Sequence, residues 1–174
     1  MGDIRVAVIV PPGFRDETIS MLNLLLAKNG IIEELSGFSM NECRGQHGAT
    51  VKPKKVLTDV DPSGISGLII ADGPGMDELR LYNYRPLLNL VRAFGERNRL
   101  IAGIGNGIKA VARANVIRDA KIAHVDEDTA KFVRLYHGNV TDDALVLDKN
   151  ILTLSDHSKM GEMVVQMAKE LGTL

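Results

Sequence analysis

The stretch LIAGIGNGIKAVARANVI, residues 100–117, has the build of a nucleophile elbow, a sharp turn from a strand into a helix that presents a catalytic side chain. The tip of the turn reads Gly105-Asn106-Gly107, so no hydroxyl or thiol stands where an elbow carries its Ser or Cys. An elbow residue is held at positive φ, which costs about 1–3 kcal/mol for a residue with a Cβ and almost nothing for glycine. The sequence therefore predicts an elbow without covalent chemistry, whose helix N-terminus still attracts anions or carbonyl oxygens.

Two other places carry catalytic residue types. Ser155-Asp156-His157 contains the three types of a hydrolase triad, but neighbours in one turn cannot converge on a single proton path, so a helix cap is the favoured interpretation. Cys43 lies in a polar loop far before the elbow, and we interpret it as a free structural or exposed thiol rather than a relocated nucleophile.

Buried strands and amphipathic helices must position these residues. β-Branched or apolar runs predict strands at 4–10, 31–36, 67–71 and 99–104, and apolar stripes predict helices beginning near Asp16, near Pro86, near 106 and after Ser158. Strands alternating with helices predict an α/β fold with a mostly parallel sheet covered on both faces. Ligands of such sheets bind beyond the carboxyl ends of the strands, which here lead into loops 11–17, 71–77 and 104–107.

The remaining segments give weaker patterns. Residues 37–66 are rich in loops, with a hairpin expected around 47–54. Short strands are expected near 121–124, 131–136 and 144–154, the last interrupted by a tight turn at Asp148-Lys149-Asn150.

Composition excludes several classes of protein. The 174 residues, 45% apolar and 25% charged, predict a single globular domain over 1–174. A net charge of -1 argues against nucleic acid or an anionic membrane as a partner. The single cysteine excludes an intrachain disulfide and a cysteine-based zinc cage. Because no apolar run reaches the length of a signal-peptide core or a membrane span, we expect a cytoplasmic protein without a membrane partner.

Four segments resemble the ThiJ/PfpI superfamily: VAVIVPPGFRDETI, GQHGATVKPKKVLTDVDP, GLIIADGPGMDELR and LIAGIGNGIKAVARANVI. The resemblance covers nearly the whole chain in order and spacing. It implies the class I glutamine amidotransferase-like fold, a flavodoxin-like three-layer sandwich. Members usually carry a Cys at the elbow, often followed by His and Gly, and their peptidase, deglycase or glyoxalase activities depend on it; others are chaperone-like. This chain has Gly105 in place of that cysteine, and Ala71-Asp72-Gly73 where members usually have Pro-Gly-Gly.

The resemblance also implies a set of pocket residues. Glu17 stands where the family places an acid that contacts the nucleophile. Gly73 and Asn106 match two positions whose backbone N–H groups resemble an oxyanion hole, and His124 aligns with a pocket histidine of some members. Asp77 stands where protease-like members present a Glu across a subunit interface. With Arg80 in the same segment, this implies a homodimer or a larger homo-oligomer.

Other interpretations of these residues remain open. Glu17 is equally an acid favoured in the first turn of a helix, Asp72 a turn residue, and His124 a surface histidine. A metal site combining Glu17, Asp72, Asp77 and His124 is the less favoured hypothesis, because their spacing is irregular, and we expect no metal and no cofactor.

These observations leave two candidate functions. One is a non-catalytic or divergent protein with a vestigial pocket that binds a small molecule or partner. The alternative is a hydrolase that uses Glu17 and His124 on a bound water.

Overall fold

The structure, a computed structural model, describes residues 2–174. It contains eleven strands: β1 Ile4–Val10, β2 Ile31–Gly37, β3 Cys43–Arg44, β4 Thr50–Val51, β5 Lys55–Val56, β6 Gly67–Ile70, β7 Leu100–Ile104, β8 Lys121–Ile122, β9 Asn139–Val140, β10 Leu145–Asp148 and β11 Ile151–Leu154. Its six α-helices are α1 Asp16–Lys28, α2 Pro74–Glu78, α3 Arg85–Glu96, α4 Ile108–Arg113, α5 Glu127–Leu135 and α6 Met160–Leu171. Short 3₁₀ turns cover Leu57–Asp59, Leu81–Asn83, Gly105–Gly107 and His157–Lys159.

Seven strands form the central sheet in the order β10-β11-β7-β6-β1-β2-β5. Every neighbouring pair is parallel except the β10–β11 hairpin. The chain moves from β1 outward to β2 and then returns to the other side of β1 as β6, so the strand order reverses between β1 and β6. The loops after these two strands therefore flank the crevice in which such sheets bind ligands.

Apolar side chains on the two faces of this sheet build two separate cores. Along β1, Ala7 and Ile9 belong to one core and Val6, Val8 and Val10 to the other, as the alternation of a strand requires. The first core contains the apolar stripes of α3, α4 and α5, and the second contains those of α1 and α6. Helices thus cover both faces, which confirms the predicted three-layer architecture.

The predicted strands at 4–10, 31–36, 67–71 and 99–104 are confirmed to within one residue at each end, and the predicted helices follow them. The turn at 148–150 joins β10 to β11 as expected. The hairpin expected at 47–54 is displaced toward the N-terminus, since its strands are β3 and β4.

The strand expected at 131–136 is wrong, because that segment is the last part of α5. The reason lies upstream, where the Asp126 side chain caps the helix by accepting a hydrogen bond of 2.8 Å from the backbone N–H of Thr129. Buried Ala130 and Val133 then stand three residues apart on one face of a helix. Within residues 2–174, no helix combines the length and the apolar character that crossing a membrane requires.

Candidate functional site at the elbow

The turn at Gly105 has the predicted elbow geometry, and the side chain that lies against it is Asp72. Gly105 has a φ of +51°, at the point where β7 turns into the 3₁₀ turn that leads to α4. A Cβ built on Gly105 would lie 2.9 Å from Oδ2 and 3.1 Å from Cβ of Asp72. The space that an elbow side chain would enter is therefore bounded at close range by the carboxylate of Asp72.

The register of the sheet explains why Asp72 stands there. The parallel pairing of β6 with β7 ends with Ile70 opposite Gly103. Continuing both chains by two residues places Asp72 opposite Gly105. Gly107 is also required, because a Cβ at that position would come within 2.5 Å of the Ile70 carbonyl oxygen.

Asp72 belongs to a buried polar cluster with Thr18 of α1 and His157 of the turn before α6. The Thr18 hydroxyl donates to Asp72 Oδ1 at 2.6 Å, and Thr18 Oγ1 lies 2.8 Å from His157 Nε2. His157 Nε2 lies 3.1 Å from Asp72 Oδ2, and the two side chains are 14% and 9% exposed. Helix α1, strand β6 and the loop after β11 thus converge on one point at the carboxyl edge of the sheet.

The contacts of this cluster determine where its protons lie. Thr18 has a single hydroxyl proton, which it gives to Asp72, and an ionised carboxylate can only accept. Nε2 of His157 must therefore carry the proton that it shares with Asp72 Oδ2 and Thr18 Oγ1. When the imidazole is neutral, Nδ1 is then the unprotonated nitrogen, able to accept a proton or a hydrogen bond.

The Gly73 N–H is already bonded within the protein, which corrects the oxyanion-hole role implied for it, while the role implied for the Asn106 N–H stays a prediction. The Gly73 N–H donates to Asn106 Oδ1 at 3.1 Å, and Asn106 Nδ2 donates to the Gly73 carbonyl at 2.8 Å. The side-chain amide of Asn106 therefore satisfies both the N–H and the carbonyl of Gly73. The Gly73 N–H is left with no hydrogen bond to offer a ligand.

Asp77 pairs within its own chain. Its Oδ1 lies 2.6 Å from Lys109 Nζ, and its Oδ2 accepts from Asn106 Nδ2 at 3.0 Å. Lys109 also pairs with Asp128, and only 2% of its side chain is exposed. Its ammonium lies 5.5 Å and 5.3 Å from the ring centroids of Tyr82 and Phe132. Burial acts to lower the pKa of Lys109, but the bonds and charges of Asp128 and Asp77 outweigh it and raise that pKa.

Glu17 and His124, which the resemblance assigns to the pocket, are both exposed. Glu17 pairs with Arg15 at 2.6 Å and its side chain is 55% exposed, which suits the interpretation as an acid in the first turn of a helix. The atoms nearest to a Cβ built on Gly105 belong to Asp72, and the pocket role of Glu17 stays a prediction. His124 is exposed and its backbone N–H donates to the Asp143 carbonyl. In the part of the chain from residue 2 onward, no three His, Cys, Asp or Glu side chains converge as metal ligands, so the structure does not assemble Glu17, Asp72, Asp77 and His124.

Comparison with known proteins agrees with this fold. The model of the DJ-1/PfpI family matches residues 4–170. The chain belongs to the DJ-1/PfpI family. A curated relative, an uncharacterized protein of Methanocaldococcus jannaschii, is 26% identical over 170 residues, covering 94% of this chain and 80% of the relative. The crystal structure of a ThiJ/PfpI domain protein from Brachyspira murdochii superposes with a TM-score of 0.89 at 18% identity, covering 99% and 98% of the two chains. That of Drosophila melanogaster DJ-1beta gives 0.86 at 19% identity, covering 99% of this chain and 92% of that one.

Strand β3 of this DJ-1/PfpI protein, which carries Cys43, borders a groove formed in part by the loop after β1. The groove measures about 470 Å³ and is lined partly by Pro12, Phe38, Cys43 and Pro53. The Cys43 thiol donates to the Pro11 carbonyl at 3.5 Å, and burial raises its pKa. Both features suit a structural thiol, as the sequence indicated, and disfavour a relocated nucleophile.

Sequence reasoning missed Thr18 and His157 as partners of Asp72. The helix cap expected at Ser155-Asp156-His157 is confirmed, since Asp156 accepts from the Ser158 N–H at 3.0 Å. The capping turn nevertheless carries His157 into the cluster. The sequence did indicate that these residues could meet, because residues 155–157 follow a predicted strand and so lie at the same carboxyl edge of the sheet as Asp72.

Proposed function

We propose that this DJ-1/PfpI protein binds a small molecule at the carboxyl edge of its sheet and performs no cysteine-dependent chemistry. The observation that carries the proposal is the replacement at the elbow, where Gly105 supplies no nucleophile and Asp72 occupies the adjoining space. Cys43 cannot substitute, since its thiol is buried, bonded and raised in pKa.

The chemistry of the edge restricts the ligand. The carboxylate of Asp72 opposes a second negative charge beside the elbow, so it counteracts the attraction of anions that a helix N-terminus alone would give. The groove at β3, formed in part by the loop after β1, offers apolar contacts from two prolines, a phenylalanine and Cys43, together with the charged Glu42 and Arg44. A neutral or cationic ligand with an apolar part satisfies both conditions.

One observation favours a second candidate, acid–base catalysis by His157. Asp72 fixes the imidazole with its proton on Nε2, which leaves Nδ1 as a base. A buried carboxylate that orients a histidine in this way is a recurrent feature of catalytic sites. The alternative hydrolase of Glu17 and His124 has no comparable support, because both residues are exposed and Glu17 pairs with Arg15.

Activity measurements on matched variants separate these functions. Wild-type protein, Cys43→Ala, Asp72→Asn and His157→Gln are assayed on peptides, methylglyoxal and glycated amino acids, and we expect no turnover by any of them. Turnover that is lost in His157→Gln and Asp72→Asn but kept in Cys43→Ala would establish the second candidate. Turnover that disappears in Cys43→Ala would refute both.

Binding itself is measured by NMR on ¹⁵N-labelled protein titrated with a library of neutral and cationic fragments. Saturable shifts of the amides of Gly13 and Gly45, which line the groove, are the expected result. Gly161, at the start of α6, is outside the groove lining, and a Cβ built on it would meet no atom within 4 Å, so its amide serves as the control. If no fragment moves the groove amides, the binding proposal is wrong.

We also propose that the segment containing Asp77 and Arg80 forms a homomeric interface. Leu79 and Tyr84 beside it are 57% and 38% exposed, so an interface at this segment would remove apolar surface from water. A two-fold interface doubles the effect of one mutation. Light scattering after size-exclusion chromatography should show a dimer or larger species for the wild type and a shift toward monomer for Leu79→Asp; a monomeric wild type would contradict the proposal.

A further inference from the structure

The first turns of α3 and the C-terminal ends of α4 and α5 surround a cavity of about 550 Å³ on the side of the molecule that carries the first core. Its charged lining consists of four arginines, with a histidine beside them: Arg85 and Arg92 of α3, Arg113 of α4, Arg118 and His137. We call this the arginine cavity. No acidic residue is among those that line it.

The four guanidinium groups lack counter-charges. Across residues 2–174, none of them lies within 4.0 Å of a carboxylate, whereas Arg5, Arg15 and Arg134 each pair with a glutamate. Like charges gathered at one site repel one another, and only partial exposure to water moderates that cost. Because the whole chain carries a net charge of -1, this concentration of positive charge is local.

Two of the arginines are held in place by the protein. Arg92 Nε donates to the Ala114 carbonyl at 3.0 Å, and Arg113 Nη1 donates to the Tyr136 hydroxyl at 2.6 Å. Nε of Arg113 is buried and has no acceptor among the residues described. A buried donor without a partner is unfavourable and rare in folded proteins, so the protein alone does not satisfy this guanidinium group.

We propose that the arginine cavity binds a small molecule carrying two or more phosphate groups, of the class of a nucleoside diphosphate. Guanidinium groups bind phosphate oxygens in pairs of parallel hydrogen bonds, and four of them match two phosphates in charge. The volume exceeds what a diphosphate alone needs, and Leu88 and Tyr136 offer contacts to an organic group. This site is separate from the elbow, and the proposal does not depend on the function assigned there.

Calorimetric titration of the full chain tests the proposal with ADP, inorganic pyrophosphate and adenosine as probes. We expect saturable one-site binding of ADP and pyrophosphate, with affinity that falls between 50 and 300 mM NaCl because the arginines are partly exposed. Adenosine should not bind measurably. Tighter binding of ADP than of pyrophosphate identifies the organic group as part of the ligand, and equal affinities restrict the ligand to its phosphates; either result supports the polyphosphate site.

Four variants and one control locate the binding. Arg113→Gln, Arg92→Gln and Arg118→Gln should each weaken ADP about 10- to 100-fold, as expected for loss of hydrogen bonds to a charged group. Arg113→Lys keeps the charge but not the paired geometry and should recover only part of the affinity. The control, Arg97→Gln, removes an equal charge just after α3 at a residue outside the cavity lining and should leave binding unchanged.

Three outcomes would overturn the proposal: no saturable binding of either phosphate probe, equal weakening by Arg97→Gln, or binding of single-stranded RNA that grows with its length while ADP and pyrophosphate fail to bind. Arg118 is exposed, so Arg118→Gln keeps the test decisive even if the Arg113 variants fold poorly. Thermal melts without ligand identify any variant that does.

Discussion

Placing a cysteine at the elbow measures how closely Asp72 bounds the space that a side chain at residue 105 would enter. The change is Gly105→Cys in a Cys43→Ala background, made alone and together with Asp72→Ala. Position 105 has a φ of +51°, and its new Cβ would lie 2.9 Å from Asp72 Oδ2. The substitution therefore has two separable costs, one from the backbone and one from the contact.

The magnitudes follow from these two terms. The backbone cost of a Cβ at positive φ is about 1–3 kcal/mol and is the same whether or not Asp72 is present. Asp72→Ala removes the contact with the carboxylate and keeps only the 3.1 Å contact with the Asp72 Cβ. Gly105→Cys should therefore be less destabilising in the Asp72→Ala background by about 0.5–3 kcal/mol, the usual coupling of touching residues. Asp72→Ala alone should cost about 1–3 kcal/mol, because the buried Thr18 hydroxyl loses its acceptor.

Urea unfolding followed by circular dichroism gives the four free energies of this cycle, since the chain contains no tryptophan. Iodoacetamide labelling against pH then reports the new thiol, and we expect faster labelling once Asp72 and its negative charge are removed. Gly161→Cys is the control, because a Cβ there meets nothing within 4 Å. If Gly105→Cys costs as much without Asp72 as with it, the contact argument is refuted; if it costs nothing, the elbow itself is misassigned.

Three further predictions concern other parts of the structure. Asp128→Asn should destabilise the protein at neutral pH, because it weakens the pairing of buried Lys109. The bond to Lys109 lowers the pKa of Asp128, so the difference in urea midpoint between wild type and variant should vanish as pH falls through that lowered pKa. A difference that stays constant with pH would contradict this prediction. Cys43 should react with a disulfide reagent far more slowly in native protein than in urea, and equal rates would show that its burial is wrong. Asp126→Ala should cost about 1 kcal/mol by thermal or urea unfolding through loss of the α5 cap, whereas the neighbouring Glu127→Ala, a helix-surface change, should cost less.

The central fold follows from sequence because its signals are local. The run Ile4–Val10 and the apolar stripes of α1 and α3 identify a parallel sheet covered on both faces. The segment 131–136 shows the limit of such signals. Phe132 and Val133 favour a strand by composition, but Asp126, several residues upstream, caps a helix that contains them.

The site was less predictable, because its contacts join distant parts of the chain. The glycine at the elbow and its positive φ follow from local sequence, as does the absence of a nucleophile. The contact between Thr18 and His157 spans 139 residues and depends on the register of three strands. Family resemblance assigned Glu17 and His124 to the pocket because it transfers positions, and it gave no signal that Asp72 lies against the elbow.

The side chain of Asn106 imitates a peptide unit. Continuing the β6–β7 register by three residues places Gly73 opposite Asn106, and the amide of Asn106 accepts from the N–H and donates to the carbonyl that a neighbouring strand would otherwise serve. The sheet is in effect extended past its last regular pair by a side chain. The loops after β6 and β7 are therefore joined by hydrogen bonds that do not involve residue 105. The side chain at residue 105 can thus change in evolution or by design while these two loops keep their positions.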